Sequence, residues 1–308
     1  MMFTQITIIG MGHIGSSLAR GISQMGLCDR LIAVDADEDV CNAVDTLGLA
    51  DTATTNAVEG VQGSDLVILC IPVGSIGKVV ASIAPFLMPK AILTDVSSVK
   101  QSVVNAVLPL LPESVSFVPA HPIAGTEHSG PESGFAELFK DRWCILTPSP
   151  DTNIRAVEAI TKLWEAFDAK IEIMDPAHHD LVFGITSHLP HLIAYTIVGT
   201  ATELEDDIQS EVIKFAASGF RGFTRIAASD PTMWRDVFLN NREAVLESLQ
   251  RFSEDLSAMQ KAIRRGDGDY LFNKFTETRK IRREIMKLGP EGYPNPQRMA
   301  IDSDPCDD

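Results

Sequence analysis

The sequence predicts an α/β protein: an N-terminal Rossmann-type, doubly wound parallel sheet plus an all-helical C-terminal domain. Three observations predict it. A β-branched apolar run, Ile6-Thr7-Ile8-Ile9, leads into Gly10-Met11-Gly12-His13-Ile14-Gly15 and then into a helix-forming segment. Strand-like and helix-like segments then alternate as far as residue 174, the rhythm of a parallel sheet with crossover helices. From Asp175-Pro176 onward helical patterns follow one another without a convincing strand. The predicted organisation is a dinucleotide-binding domain over 1–174, a helical domain over 175–290, and a polar tail over 291–308 that is expected to be poorly ordered.

The glycine spacing has a physical reason. Gly10 permits the tight turn out of the strand, and Gly12 lets a pyrophosphate approach the backbone. Gly15 lets the helix pack close to the strand, so that its free N–H groups and positive dipole end face the phosphates. Leu31-Ile32-Ala33-Val34-Asp35 reads as a second strand ending in an acid, twenty residues after Gly15. A carboxylate there accepts hydrogen bonds from ribose hydroxyls and repels a 2′-phosphate, so the expected cofactor is NAD. Its contacts are expected at Gly10, Gly12, His13, Ile14, Gly15, Asp35, Ile71, Pro72 and Ser97.

The remaining elements follow in order. A helical stretch runs to Leu47. Asp65-Leu66-Val67-Ile68-Leu69-Cys70-Ile71 is a buried parallel strand by its unbroken apolar character, ended by Pro72. Residues 75–86 read as helix, 91–96 as strand, and Ser97-Ser98-Val99-Lys100 opens the next helix. A strand over 115–118 runs into Ala120-His121-Pro122, and strands over 143–146 and 171–174 flank a helix. Pro176 suits the first turn of a long helix reaching Ala201, with Pro190 bending it and freeing the Thr186 carbonyl. Another helix covers 208–217, residues 218–223 form a glycine-rich break, and Asp230-Pro231 starts a long helix to about Arg265. A basic helix ends near Leu288.

Composition narrows the function classes. The 308 residues are 45% hydrophobic, enough for a sizeable core, and hold no unbroken apolar run of about eighteen residues. No secretory leader pattern precedes the first strand. The cysteines, Cys28, Cys41, Cys70, Cys144 and Cys306, are scattered and odd in number, which suits reduced thiols in a cytoplasmic protein. A net charge of −16 argues against nucleic-acid and anionic-membrane partners. It also gives weight to any basic residue placed near a site for an anionic substrate.

The chemistry is expected where strands end. His121 lies where the nicotinamide should pass, and can take the proton of a substrate hydroxyl while hydride leaves the same carbon. Ser98 is placed to hydrogen-bond that histidine or that hydroxyl, to cap the next helix, or to do both. In the helical half, Asp180, Ser187 and His191 fall on one line at helical spacing, a polar stripe fit for a pocket wall, with His188 off the line as packing. No metal is expected, because the histidines lack a ligand set at metal spacing. Arg225 can bind a carboxylate through its fork or pair with one of the many acids.

These residues give the chain a family resemblance. Gly10 to Gly15 with Asp35, Asp95-Val96-Ser97-Ser98-Val99-Lys100, His121-Pro122-Ile123-Ala124-Gly125-Thr126-Glu127, Ser187-His188-Leu189-Pro190-His191 and Thr224-Arg225-Ile226-Ala227 together resemble the prephenate/arogenate dehydrogenases of tyrosine biosynthesis. The resemblance implies oxidative decarboxylation of prephenate to 4-hydroxyphenylpyruvate, of arogenate to tyrosine, or of both. It implies that His121 deprotonates the ring hydroxyl, that Ser98 orients it, and that His191 and Arg225 bind substrate. His179, Lys100 and Glu127 carry over as pocket residues or as residues that stand behind the pocket, and the helical domain as a homodimer interface. Gly222 after Arg221 departs from the common family form of the glycine break. Two readings compete. A β-hydroxyacid or 6-phosphogluconate-type dehydrogenase would place a catalytic lysine where this chain offers His191 and Arg225, and a nicotinamide-sensing module would not need His121.

Overall fold

The computed structural model describes residues 2–125, 128–203, 214 and 217–287. It contains two compact units, Met1–Leu246 and Glu247–Asp308.

The first unit is built on eight strands: β1 (Phe3–Ile9), β2 (Cys28–Val34), β3 (Thr52–Thr54), β4 (Leu66–Leu69), β5 (Ile92–Asp95), β6 (Ser116–Pro122), β7 (Trp143–Leu146) and β8 (Lys170–Ile173). Their order is β3-β2-β1-β4-β5-β6-β7-β8. Neighbours are parallel except β6 and β7, where His121 stands opposite Ile145. Strand order reverses between β1 and β4, and ligands of open α/β sheets bind at the carboxyl ends beside that reversal. Leu66 to Leu69 are buried on both faces, which is why β4 reads as an unbroken apolar run.

Helices α1 (His13–Met25), α2 (Glu38–Leu47), α3 (Ala57–Val61), α4 (Val73–Ile83), α5 (Gln101–Val107) and α6 (Ile154–Ala166) cross between strands. One core layer packs Ile8, Leu18 and Ile22 with Trp164 and Phe167; the other packs Val67, Leu69, Ile76 and Val80 with Val107. Phe139 meets Trp164 and Phe167 edge to face, with ring centroids 5.2 and 5.3 Å apart. Each such side chain contributes about 1.5–3 kcal/mol on burial. The short β3 and α3 were not expected; three residues carry no readable period, and α3 is held by the Asn56 side chain accepting from the Val58 and Glu59 amides.

Three local expectations need correction. First, α5 begins at Gln101 rather than at Ser97, and neither serine caps it: the Asp180 carboxylate accepts from the Lys100 and Gln101 amides. Second, His121 lies inside β6 rather than after it. Third, the helix expected from Asp230 is interrupted at Asn241, between α10 (Pro231–Asn240) and α11 (Arg242–Arg265). The Asn241 side chain there donates to the Asp180 carbonyl. The glycine break is itself a short helix, α9 (Ser218–Thr224), followed by a 3-10 turn, Arg225–Ala228. The helix expected over 208–217 falls almost wholly outside the described residues, as does the tail over 291–308.

The helix from Pro176 forms as α7 (Pro176–Phe183), a π-turn (Gly184–His188) and α8 (Leu189–Thr202). The Asp175 side chain caps it, accepting from the Ala177 and His178 amides. Pro190 has no N–H to offer Thr186, and the ladder slips locally, with the Leu189 amide bonded to the Gly184 carbonyl. Over its 27 residues this stretch is apolar and long enough to cross a membrane by length and composition alone. It carries the buried His179, Asp180 and His188. In the second unit α11 ends at the Gly266 turn and is followed by α12 (Gly268–Lys287), basic over its last turns as expected.

The glycine turn gives a direct test. A Cβ on Gly15 would strike the Gly10 carbonyl oxygen, a backbone atom that cannot rotate away. Gly15→Ala is expected to cost about 1–3 kcal/mol and to weaken NAD binding. Thermal melts and an NAD titration check both; unchanged values would show that the turn tolerates the side chain.

Candidate active site

Gly10 has φ +97°, and its backbone lies against the Cys70 carbonyl and Ile71 at the end of β4. A Cβ on Gly12, by contrast, would meet nothing within 4 Å, so space stands open above the loop. Gly12 caps α1 with no side-chain bond, leaving the amides of the first turn to a ligand. The Asp35 carboxylate accepts from the Met11 amide at 2.8 Å and the Asp37 amide at 3.1 Å, fixed beside that opening. Ile71 and Pro72 follow β4, and the Ser97 hydroxyl after β5 is buried with no partner among the described residues. The open glycine loop, the free helix start and the acid fit NAD; bound there, it accepts the hydride. His13 opens α1. Its Nδ1 meets the Ser133 hydroxyl at 3.0 Å and its ring meets Phe135 edge-on, tying α1 to the segment after Gly130.

His121 stands near the end of β6. It is 7% exposed, its Nδ1 lies 2.8 Å from His179 Nε2, and its Nε2 has no partner among the described residues and is not sealed from solvent. His179 is fully buried, and its Nδ1 lies 2.8 Å from Asp180 Oδ1. Phe183 packs against both rings, with centroids 4.8 and 4.4 Å away. Burial first, then the neighbouring His179 and Lys100, holds the His121 imidazole well below its usual pKa, so it stands neutral and able to accept a proton.

Lys100 is not where a pocket residue would be. Its side chain is completely buried, and Nζ donates to Asp95 Oδ2 and to the Ala120 carbonyl, each at 2.6 Å. Asp95 also accepts from the Ser97 and Ala120 amides. The pair therefore clamps the end of β5 to the residue before His121, and Lys100 reaches substrate only through that clamp. Ser98 is half-buried and makes no hydrogen bond to His121, leaving its hydroxyl for a ligand.

His191 and Trp234 form the other wall. Their rings stack with centroids 3.6 Å apart, and Trp234 packs with Val99, beside Ser98. His191 Nδ1 meets the Ser187 carbonyl at 2.9 Å. Burial lowers the His191 pKa, and the Arg225 charge lowers it further, so these two expected residues lie within electrostatic reach. Arg225 itself is exposed, and Glu127 lies outside the described residues. The π-turn breaks the expected Asp180–Ser187–His191 line. It turns His188 fully inward, where Nδ1 meets the Asn241 amide at 3.0 Å and burial pushes its pKa down to about 4. Asn241, Trp234 and the structural task of Asp180 were not read from the sequence. Each acts across elements far apart in the chain, and only a buried acid on an apolar helix gave a hint.

Two tests follow from this geometry. Lys100→Met leaves the Asp95 carboxylate buried without its cation and is expected to destabilise the fold by about 3–5 kcal/mol, read by urea unfolding; a loss near zero would mean the pair is dispensable. The buried His121, His179 and His188 have folded-state pKa values below the unfolded value of 6.5. Between those values the unfolded chain binds protons that the native state refuses. Stability is therefore full above pH 6.5 and falls below it, by up to about 1.4 kcal/mol per pH unit for each histidine, until the native imidazoles themselves protonate. Melting midpoints at pH 7 and pH 5 check this, and equal midpoints would contradict it.

Comparison with known proteins agrees with this arrangement. The family model for the prephenate dehydrogenase nucleotide-binding domain matches residues 18–173, and that for the prephenate dehydrogenase dimerization domain matches 175–277. The chain is 41% identical to cyclohexadienyl dehydrogenase of Zymomonas mobilis over 281 residues, 91% of this chain and 96% of the relative. It is 32% identical to prephenate dehydrogenase of Bacillus subtilis, covering 93% and 77% of the two chains. The crystal structure of Aquifex aeolicus prephenate dehydrogenase in complex with hydroxyphenyl propionate and NAD+ superposes with a TM-score of 0.85 at 32% identity, covering 92% of this chain and 98% of that one. Synechocystis arogenate dehydrogenase gives 0.76 at 28%, covering 91% and 99%. A glycine loop closed by Asp35, a histidine at the end of β6 and these matches along most of its length make the chain an NAD-dependent dehydrogenase and a member of the prephenate dehydrogenase family.

Proposed function

We propose that the enzyme catalyses the NAD-dependent oxidative decarboxylation of prephenate, of arogenate, or of both, in tyrosine biosynthesis. The observation that carries this reading is His121: neutral, buried, and open only at Nε2, at the carboxyl end of β6 on the same sheet edge as the dinucleotide loop. Nε2 takes the proton of the ring hydroxyl as the hydroxyl-bearing carbon is oxidised, and the ring carboxylate leaves as carbon dioxide. Aromatisation makes the reaction downhill, so a neutral imidazole held in place suffices as the base. Ser98 orients the hydroxyl. His191, stacked on Trp234, lines the pocket, and Arg225 binds a substrate carboxylate through its fork. His13, Ile14, Ile71, Pro72 and Ser97 complete the NAD site around the three glycines and Asp35, and Glu127 is a further pocket residue.

The division of labour we infer places NAD binding in 1–174 and substrate binding with dimerisation in 175–290. Leu181, Ile185 and Ile197 leave apolar surface exposed along α7, the π-turn and α8, which suits a second copy of the chain. The unpaired Cys28, Cys41, Cys70 and Cys144 suit the cytoplasm.

The test is NADH formation with prephenate and with arogenate, each offered with NAD and with NADP. Turnover is expected with NAD and at least one acid. His121→Asn is expected to lower kcat by about 10²–10⁴-fold with NAD affinity kept. Silence with both acids would overturn the substrate assignment, and undiminished turnover in the variant would overturn the role of His121.

A further inference from the structure

The nitrogen that His121 offers to substrate is decided two residues away. Asp180 can only accept, so at 2.8 Å the proton between it and His179 sits on His179 Nδ1. A neutral His179 then has only a lone pair at Nε2. The 2.8 Å contact to His121 therefore requires His121 to donate from Nδ1. That leaves the His121 lone pair on Nε2, the one nitrogen of the chain open to the site.

The end of this chain is fixed firmly. Asp180 Oδ1 also accepts from the Lys100 amide, Oδ2 accepts from the Gln101 amide at 2.9 Å, and the Asp180 carbonyl accepts from Asn241 at 2.8 Å. Phe183 closes the flank of both imidazoles. The other titratable groups facing them offer no competing partner. The Lys100 ammonium is bound to Asp95 and Ala120, and His188 is turned to Asn241. Cys144 on β7, beside Pro122, is buried, and its thiol is held well above its usual pKa. Burial keeps His179 neutral at rest, the state the chain of donors requires.

We propose that His179 and Asp180 are positioning residues which lock His121 in the Nδ1–H tautomer and stabilise the imidazolium that forms on it. This rests on the assignment of His121 as the base. In the step, the substrate O–H bond breaks and an N–H bond forms at His121 Nε2. The positive charge is then shared through the Nδ1–H to His179 and its Asp180 carboxylate. His179 thereby touches no substrate, and its contribution is the orientation and charge of its neighbour.

The experiment is 15N NMR of histidine side chains in the full-length protein, with the two resonances assigned through His121→Asn and His179→Phe. Both imidazoles are expected as Nδ1–H tautomers at neutral pH, and an Nε2–H tautomer at either position overturns the proposal. This readout needs no substrate, so it stands or fails separately from the assigned reaction. Asp180→Asn removes the negative charge behind His179 and sets its NH2 against either the Lys100 or the Gln101 amide, and is expected to lower kcat by about 10²–10⁴-fold, with the NAD Kd unchanged. Combined with His179→Phe it should add little further loss, because the two act as one unit. Fully multiplicative losses, or a kcat within about threefold of the parent, overturn it. Should Asp180→Asn fail to fold, the spectrum of the parent protein still decides.

Discussion

A carboxylate removed from water must find its hydrogen bonds inside the protein, and Asp180 finds four groups to satisfy: two amides at the start of α5, the His179 ring, and, through its own carbonyl, the Asn241 side chain. Much of the site depends on that arrangement. It ties the helix from Pro176 to the segment after β5, so the dinucleotide half and the helical wall meet at a fixed spacing. It also accounts for why α5 starts where it does and why a long helix breaks at Asn241. The Asp95–Lys100 pair does the corresponding work on the sheet side, holding the end of β5 against Ala120, directly before His121. Breaking either clamp strands a charge in a dry place, which is costlier than never having buried it.

The local features were legible in the sequence. The glycine turn, Asp35 and the buried β4 each depend on residues close together in the chain, where spacing and period carry the information. His121 was legible for a related reason: a strand end in a parallel sheet is a known address. What escaped depends on contacts between distant segments. Lys100 was left between the pocket and the layer behind it until Asp95 and the Ala120 carbonyl enclosed it. His188 looked like packing off a polar line, because a regular helix was assumed; the slipped ladder at Gly184–His188 turned it inward. Ser98 before α5 was open to a capping role, but a side chain eighty positions away from Lys100 performs that task.

The electrostatics of the site run against those of the whole chain. A chain with a net charge of −16 repels an anionic substrate at long range. Around His121, however, the described groups are imidazoles, the Asp95–Lys100 ion pair, the amide-bound Asp180 carboxylate and an arginine within electrostatic reach of His191. The charge nearest His191 is therefore a cation, against the sign of the chain as a whole. In such a setting a carboxylate gains more from a forked partner than it would in water.

The π-turn has a consequence for how this sequence can change over time. A π-turn is one residue wound into a helix without lengthening it by a full step. Each residue of a regular helix advances the face by 100°. Removing one residue at the turn would restore a regular ladder and leave His191 in step with Asp180, whereas one further insertion would rotate His191 by about 100° and uncouple its stack on Trp234 from the anchored histidine pair. A further inserted residue in this short window is thus a change of frame for the wall that carries His191, whereas an insertion in a loop between strands is only a change of length.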